Sequence, residues 1–137
     1  MRKHRQVPSL QFAVVGAGAV GLYYGAKLAW RGRNVRFLMR SGYDQAKRFG
    51  VQILSKEGGV SARGPFFFRS AEEIGPVDVV IIGLKTTANP ALVKVLPPLL
   101  KPGTWIVTLQ NGLGNEEWLA QTFGTDRVLG GLCFVCL

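Results

Sequence analysis

Apolar residues recur along the chain in short continuous runs that are separated by longer, mixed segments. The runs lie at 10–15, 35–39, 77–84 and 104–109. Runs that are apolar at almost every position predict strands covered on both faces, as in a parallel sheet. The segments 19–31 and 91–100, and one that begins at 116, predict helices. This alternation indicates an α/β fold with a doubly wound, mostly parallel sheet.

Turn and cap residues indicate where these helices begin and end. Gly32 stands where the first helix should end, and Asn89 with Pro90 predicts an N-cap followed by proline at the first helical position. Either Asn115 or the preceding Gly114 caps the last helix, whose acidic first turn suits a helix N-terminus. The predicted inner face of the first helix consists of Val20, Tyr23, Tyr24, Lys27 and Leu28.

Three further segments predict strands. Residues 51–54 and 60–68 predict a hairpin around Glu57–Gly59, and residues 129–136 predict a last buried strand. Cys133 and Cys136 lie in this last strand, where residues three apart point to opposite faces. A disulfide between them is therefore disfavoured, and without a second cysteine pair no metal site is expected. Both cysteines are predicted to be core residues.

A glycine fingerprint connects the first strand to the first helix. It consists of Gly16, Ala17, Gly18, Ala19, Val20 and Gly21. In a Rossmann-type fold the first glycine makes the tight turn, the second lets a pyrophosphate approach, and the third packs helix against strand. The helix N-terminus adds partial positive charge there. The fingerprint alone is a weak signal, but its position between strand and helix predicts a dinucleotide site.

Arg40 indicates which dinucleotide is bound. It ends the second strand, 24 residues after Gly16, at the position where an acidic residue would bind a ribose 2′-hydroxyl. A guanidinium instead suits a 2′-phosphate, and Ser41 adds a hydroxyl. The alternative is a solvated arginine at a loop edge. The sequence predicts NADP(H) as cofactor.

Two polar residues follow later strands. Lys85 ends the run at 77–84, and Asn111 follows the run at 104–109. Ligands of open α/β sheets bind beyond the carboxyl ends of the strands, so both side chains are candidates for the cofactor crevice. A solvent-facing lysine and an Asn-Gly turn are the alternative interpretations.

Length and charge limit the class of protein. The 137 residues fit one domain at 10–137 after a basic tail at 1–9, and a formal charge of +9 suits an anionic cofactor. The basic residues are scattered, so nucleic acid is not the expected partner. No apolar stretch approaches the ~20 residues of a membrane span, and no secretory signal is evident. A cytoplasmic protein that binds no membrane is expected.

The combined motifs resemble the ketopantoate reductase (2-dehydropantoate 2-reductase) family. The resemblance runs from Leu10 onward and rests on the fingerprint, Arg40, Gly83–Thr86, Gln110–Gly114 and Gly130–Gly131. It implies NADPH-dependent reduction of 2-dehydropantoate to pantoate, a step in pantothenate biosynthesis. It further implies that Arg40 holds the 2′-phosphate, that Lys85 contacts the cofactor, and that Asn111 touches both nicotinamide and substrate. The backbone at 133–136 is implied to line the cofactor.

The resemblance places the general-acid lysine in a C-terminal helical domain, to which nothing in this chain corresponds. No catalytic residue is therefore expected here, and the apolar end at Leu137 suggests a truncated domain that alone is inactive. The remaining alternatives are a two-domain dehydrogenase of another small 2-oxo or hydroxy acid and a non-catalytic dinucleotide-binding module. A homodimer is left open.

Overall fold

The computed structural model describes residues 9–56, 58–63 and 66–134. Six strands form the main sheet, namely β1 (Gln11–Val15), β2 (Asn34–Leu38), β5 (Phe67–Phe68), β6 (Val79–Ile82), β7 (Trp105–Thr108) and β8 (Val128–Gly130). The helices are α1 (Ala19–Trp30), α2 (Tyr43–Phe49), α3 (Ala71–Ile74), α4 (Asn89–Val95) and α5 (Asn115–Phe123). A separate hairpin pairs β3 (Val51–Ile53) with β4 (Val60–Ala62).

The main sheet is parallel at each of its pairings and has the spatial order β5-β2-β1-β6-β7-β8. The chain winds outward from β1 to one edge, returns to the centre at β6, and winds to the other edge. This is the order of a Rossmann-type fold, which confirms the predicted fold class. The strand order reverses between β1 and β6, where such sheets bind their ligands.

The core consists of two clusters, one on each face of the sheet. Successive residues of β1 alternate between them, with Ala13 and Val15 on one side and Val14 on the other. The first cluster includes Leu92 of α4 and Leu119 of α5, and partly buried residues of α1 pack against the second. Coverage on both faces explains why the strands are nearly continuous apolar runs.

The inner face of α1 differs from the predicted one. Its buried residues are Gly21, Gly25 and Ala26, whereas Tyr23 and Tyr24 are only half-buried. A Cβ at Gly25 would collide with the Phe37 ring of β2. Small residues therefore face the sheet because α1 packs too closely for larger ones, a requirement that apolar periodicity does not reveal.

The predicted strand at 60–68 is wrong as a single element. Its first part is β4 in the hairpin, and its last part is β5, which joins the main sheet beside β2. The sequence Gly64-Pro65 separates the two parts, and proline lacks the N–H that a continuous strand donates.

The predicted helix at 91–100 is shorter and starts earlier. α4 begins at Asn89 with Ala88 as its N-cap, so Asn89 is not the cap, although Pro90 does lie in the first turn. Pro97 lacks a helical N–H and clashes with the preceding turn, so residues Pro97–Leu99 continue as a 3-10 helix. At the last helix, Gly114 is the N-cap.

Over its described part, the predicted buried strand at 129–136 is a strand only at residues 129 and 130, which lie in β8 and are exposed. β8 ends at Gly130, and Leu132 and Phe134 are 78% and 96% exposed. Cys133 is buried as a free thiol, while Cys136 lies outside the described residues. The tail predicted at 1–9 also lies outside them, apart from Ser9. Over the described ranges, every helix is too short or too polar to cross a membrane.

Candidate functional site

The turn after β1 brings three backbone segments into contact. Gly16 has a φ of +94°, and a Cβ there would lie 2.5 Å from the backbone nitrogen of Leu84. A Cβ at Gly21 would collide with the Gly16 carbonyl, and one at Gly83 would lie 3.0 Å from the Gly21 nitrogen. These glycines permit β1, α1 and the end of β6 to meet at the point where the strand order reverses.

Gly18 differs from the other two fingerprint glycines. It is the exposed N-cap of α1, and a Cβ built on it would meet nothing within 4 Å. In the part of the chain that the structure describes, no side chain caps this helix, and its first turn, which contains Ala19 and Val20, carries no acidic residue. Open space thus adjoins uncapped N–H groups at the positive end of a 12-residue helix. The turn, with half-buried Ala17 inside it, fits the pyrophosphate of a dinucleotide.

Arg40 lies beyond β2, on one side of the glycine turn. Val15 pairs with Leu38, so the carboxyl ends of β1 and β2 are neighbours. The Arg40 side chain is exposed and has no hydrogen-bond or ion-pair partner in the described part of the chain. The nearby Asp44 is paired instead with Arg69, at 2.8 Å. Arg40 is therefore available to an anionic ligand.

Lys85 lies on the other side of the glycine turn. Val15 pairs with Ile82, and the chain leaves β6 through Gly83 and Leu84 before it reaches Lys85. The Lys85 carbonyl accepts a hydrogen bond of 2.9 Å from the Ala88 N–H, which starts the 3-10 helix Thr86–Ala88. Its side chain is exposed at the edge of the sheet where ligands bind.

Asn111 lies in the loop between β7 and α5, at the same edge of the sheet. Its side chain is exposed, while its carbonyl accepts a hydrogen bond from Asn115 Nδ2 at 3.3 Å. Gly112 follows with a φ of +112°, so an Asn-Gly turn and an exposed amide occur together. The two interpretations of this residue in the sequence are thus compatible.

A chain of side-chain amides holds this loop from beneath. Thr108 Oγ1 donates to Gln110 Oε1 at 3.0 Å, and Gln110 Nε2 donates to Asn89 Oδ1 at 2.7 Å. Asn89 Nδ2 then donates to Asn115 Oδ1 at 3.1 Å, and Asn115 Nδ2 reaches the carbonyls of residues 111 and 112. Thr108, Gln110 and Asn115 are buried. Each amide accepts through its oxygen and donates through its nitrogen, so the donors and acceptors follow one direction, from the Thr108 hydroxyl to the loop carbonyls.

Sequence reasoning missed this network. The sequence pattern indicates a cap at Asn89, offers Asn115 as one of two candidate caps, and includes Gln110 only as part of a motif. Polar side chains beside a buried strand were the available signal, because buried polar groups need partners. The two hydrogen bonds of the Asn89 side chain span 21 and 26 residues along the chain, and only the fold brings these partners together.

Cys133 contacts α1 rather than another cysteine. Burial raises the pKa of Tyr24, and the neighbouring Cys133 thiol raises it further. The segment after β8 therefore crosses back toward the face of the sheet that α1 covers. Whether the backbone at 133–136 lines a cofactor stays a prediction, and residues 135–137 lie outside the described part.

Comparisons with known proteins agree with this geometry. A family model described as ketopantoate reductase PanE/ApbA matches residues 12–137. A 2-dehydropantoate 2-reductase of Nostoc sp. is 40% identical over 126 residues, which cover 92% of this chain and 40% of that protein. The oxidoreductase YkpB of Bacillus subtilis, called uncharacterised, is 38% identical over 127 residues, or 92% and 41% of the two chains.

A solved structure is similar over the same region. The 2-dehydropantoate 2-reductase from Geobacter metallireducens superposes with a TM-score of 0.90 at 48% identity and covers 93% of this chain. The match extends over 42% of that structure's chain. The chain thus spans about two fifths of the length of the relatives it matches.

Proposed function

The chain belongs to the ketopantoate reductase family, and on this premise we propose that it forms the NADPH-binding part of an enzyme that reduces 2-dehydropantoate to pantoate. The observation that carries the proposal is the turn at Gly18, which no side chain of the described residues caps and which has open space beside it. Arg40, unpaired among the same residues, lies beyond the adjacent strand. Because the relatives are more than twice as long, the activity of the whole protein is part of the proposal.

Each predicted site residue has a separate task in this proposal. The N–H groups of the turn at 16–21 bind the pyrophosphate, and Arg40 binds the 2′-phosphate of the adenosine ribose. Lys85 and Asn111 lie at the ends of β6 and β7, on the far side of the turn from Arg40, so they are assigned to the nicotinamide half. The exposed amide of Asn111 is also assigned to the substrate.

When bound, NADPH supplies the hydride that reduces a carbonyl carbon. The chain's own residues orient the two reactants, since Asn111 offers a donor to a carbonyl or amide oxygen and Lys85 offers positive charge. The alkoxide that results needs a proton from a positioned acid. We assign that acid to no residue of this chain, because the family resemblance gives the role to a lysine beyond it. The substrate class is a small 2-oxo acid.

Cofactor preference provides the direct test. We expect the 137-residue chain to bind NADPH more tightly than NADH, as measured by fluorescence titration. Arg40→Ala should weaken NADPH binding about 10- to 100-fold, the range for a charge-assisted hydrogen bond to a phosphate, and leave NADH within about twofold. Arg33→Ala is the matched control, because Arg33 is an exposed arginine that precedes β2 at the opposite edge of the sheet.

Equal binding of NADPH and NADH by the unaltered chain would refute the assignment of Arg40. Equal losses for both cofactors in Arg40→Ala would also refute it, since they indicate general damage. For the reaction, NADPH oxidation by the gene product that contains this chain should be fastest with 2-dehydropantoate among a panel of 2-oxo acids. We expect the 137 residues alone to bind NADPH without turnover.

A further inference from the structure

A second arginine lies beside Arg40 at the same edge of the sheet. Arg69 directly follows β5, which pairs in parallel with β2 so that Leu38 is opposite Phe68. The Met39 N–H donates to the Phe68 carbonyl at 2.9 Å, which extends this pairing to the residue before Arg40. Adjacent strands are ~4.8 Å apart. The two arginines therefore leave neighbouring strands at the carboxyl edge.

The Arg69 side chain is directed toward the segment that follows Arg40. Its Nη2 lies 2.8 Å from Asp44 Oδ1, and its guanidinium carbon lies 4.4 Å from the centre of the Tyr43 ring. Tyr43 and Asp44 begin α2, only three and four residues after Arg40. Glu73 accepts a hydrogen bond of 3.3 Å from the Arg69 N–H, which holds the Arg69 backbone at the strand end.

The ion pair with Asp44 is weak enough for Arg69 to exchange it for another anion. The side chains of Arg69 and Asp44 are 59% and 82% exposed, and ion pairs between well-hydrated groups contribute little. A phosphate monoester carries nearly two negative charges and three acceptor oxygens. It is a stronger partner for a guanidinium than one hydrated carboxylate is.

We propose that Arg69 is a second determinant of cofactor preference, which binds the adenosine 2′-phosphate together with Arg40. Asp44 competes with that phosphate for Arg69 in the cofactor-free protein, and the Tyr43 ring keeps the guanidinium at the strand edge. This inference rests on the proposed NADPH function and adds a residue that the glycine fingerprint and the strand-end position of Arg40 do not identify.

The experiment uses two probes that differ at the 2′ position, 2′,5′-ADP and 5′-AMP, titrated into the 137-residue chain by calorimetry. Arg69→Ala should weaken 2′,5′-ADP about tenfold and leave 5′-AMP within about twofold, because only the former carries the 2′-phosphate. Asp44→Asn should tighten 2′,5′-ADP about threefold, because it removes both a competitor and a repelling charge. Its 5′-AMP affinity should not change.

Arg33→Ala removes the same charge at the amino ends of the strands, away from the proposed site, and serves as the control for net charge. Its effect on 2′,5′-ADP should stay within about twofold in buffered salt. Arg69→Lys keeps the charge but not the planar fork, so an intermediate loss of 2′,5′-ADP affinity is expected. If Arg69→Ala does not fold, as judged by circular dichroism, this lysine variant and Asp44→Asn decide the question.

The outcomes separate this inference from the function on which it rests. If the unaltered chain prefers 2′,5′-ADP and Arg40→Ala removes the preference, but Arg69→Ala behaves like Arg33→Ala, the role of Arg69 is refuted alone. If the unaltered chain shows no preference for 2′,5′-ADP, the NADPH proposal fails and the role of Arg69 fails with it.

Discussion

The carboxyl edge of the sheet has two dissimilar halves. Beyond β2 and β5 lie two exposed arginines, Arg40, which is unpaired among the described residues, and Arg69, whose ion pair with Asp44 is exposed to solvent. Beyond β6 and β7, Lys85 is exposed, but neutral amides form a directional network beneath the loop of Asn111. Within the described residues, no buried side-chain nitrogen or oxygen lacks a hydrogen-bond partner.

The polar side chains of the two halves contribute to different properties, namely to ligand affinity in one half and to the stability of the fold in the other. Exposed charges add affinity for an anion and contribute little to stability, so they can change with the cofactor. Buried amides are costly if a partner is removed, so a loop held by them keeps its geometry and resists substitution. In the proposed enzyme, substitutions in the half that selects the cofactor should therefore cost little stability, whereas substitutions in the amide network of the nicotinamide half should be destabilising.

The largest expected effect comes from removing the centre of the amide network. Gln110→Leu has a similar size but leaves Asn89 Oδ1 without its donor and the Thr108 O–H without its acceptor. We expect the free energy of unfolding to fall by about 3 kcal/mol, measured by urea denaturation. Arg40→Leu is the control from the other half, and it should stay within about 0.5 kcal/mol. Equal losses in the two variants would contradict the comparison.

A smaller effect is expected from reversing one link of the network. Asn89→Asp can still accept from Gln110, but its carboxylate faces the Asn115 oxygen, to which Asn89 now donates at 3.1 Å. We expect a loss of about 2 kcal/mol at pH 7. A protonated carboxyl can donate to that oxygen, so folding raises the pKa of the new group.

The sign of the pH dependence follows from that raised pKa. The destabilisation is present above the folded-state pKa and is relieved as the pH falls through it. Urea denaturation between pH 7 and pH 4 measures the difference from the unaltered chain. A difference that stays constant over this range would show that the direction of the hydrogen bonds does not matter.

The smallest effect concerns a charge at the amino edge of the sheet. Asp78 accepts from the Gln11 N–H at 2.8 Å and pairs with Lys101 at 2.8 Å, with only 29% of its side chain exposed. The hydrogen bond from Gln11 and the contact with Lys101 lower the pKa of Asp78. Asp78→Asn should cost about 1 kcal/mol at pH 7.

Because folding lowers the pKa of Asp78, its stabilisation is present above the unfolded-state value of about 4 and is lost as the pH falls through the folded-state value. The unaltered chain and Asp78→Asn should therefore converge in stability once the pH falls below the lowered folded-state pKa of Asp78. This result would show that a charge stabilises the fold when it is sheltered and bonded to the backbone, unlike Arg40. An unchanged gap at low pH would contradict it.

Much of this molecule could be predicted from local patterns. The apolar runs that became β1, β2, β6 and β7 were evident because both of their faces are buried. The short helix α3 was missed although Ser70 and Glu73 carry a capping signal that the structure uses, with the Glu73 N–H bonded to Ser70 Oγ at 3.3 Å. The division of 60–68 could not be predicted, because alternation does not show which sheet a strand joins.

By itself, the sequence determined the class of fold, the glycine turn and the position of Arg40, because each depends on residues close together along the chain. Only the tertiary structure decided what lies beside Arg40 and what lies beneath Asn111. Arg69 is brought there by the parallel pairing of β5 with β2, and Asn89 is the first residue of α4. Contacts between separate strand ends depend on the order of the sheet, and no local pattern encodes that order.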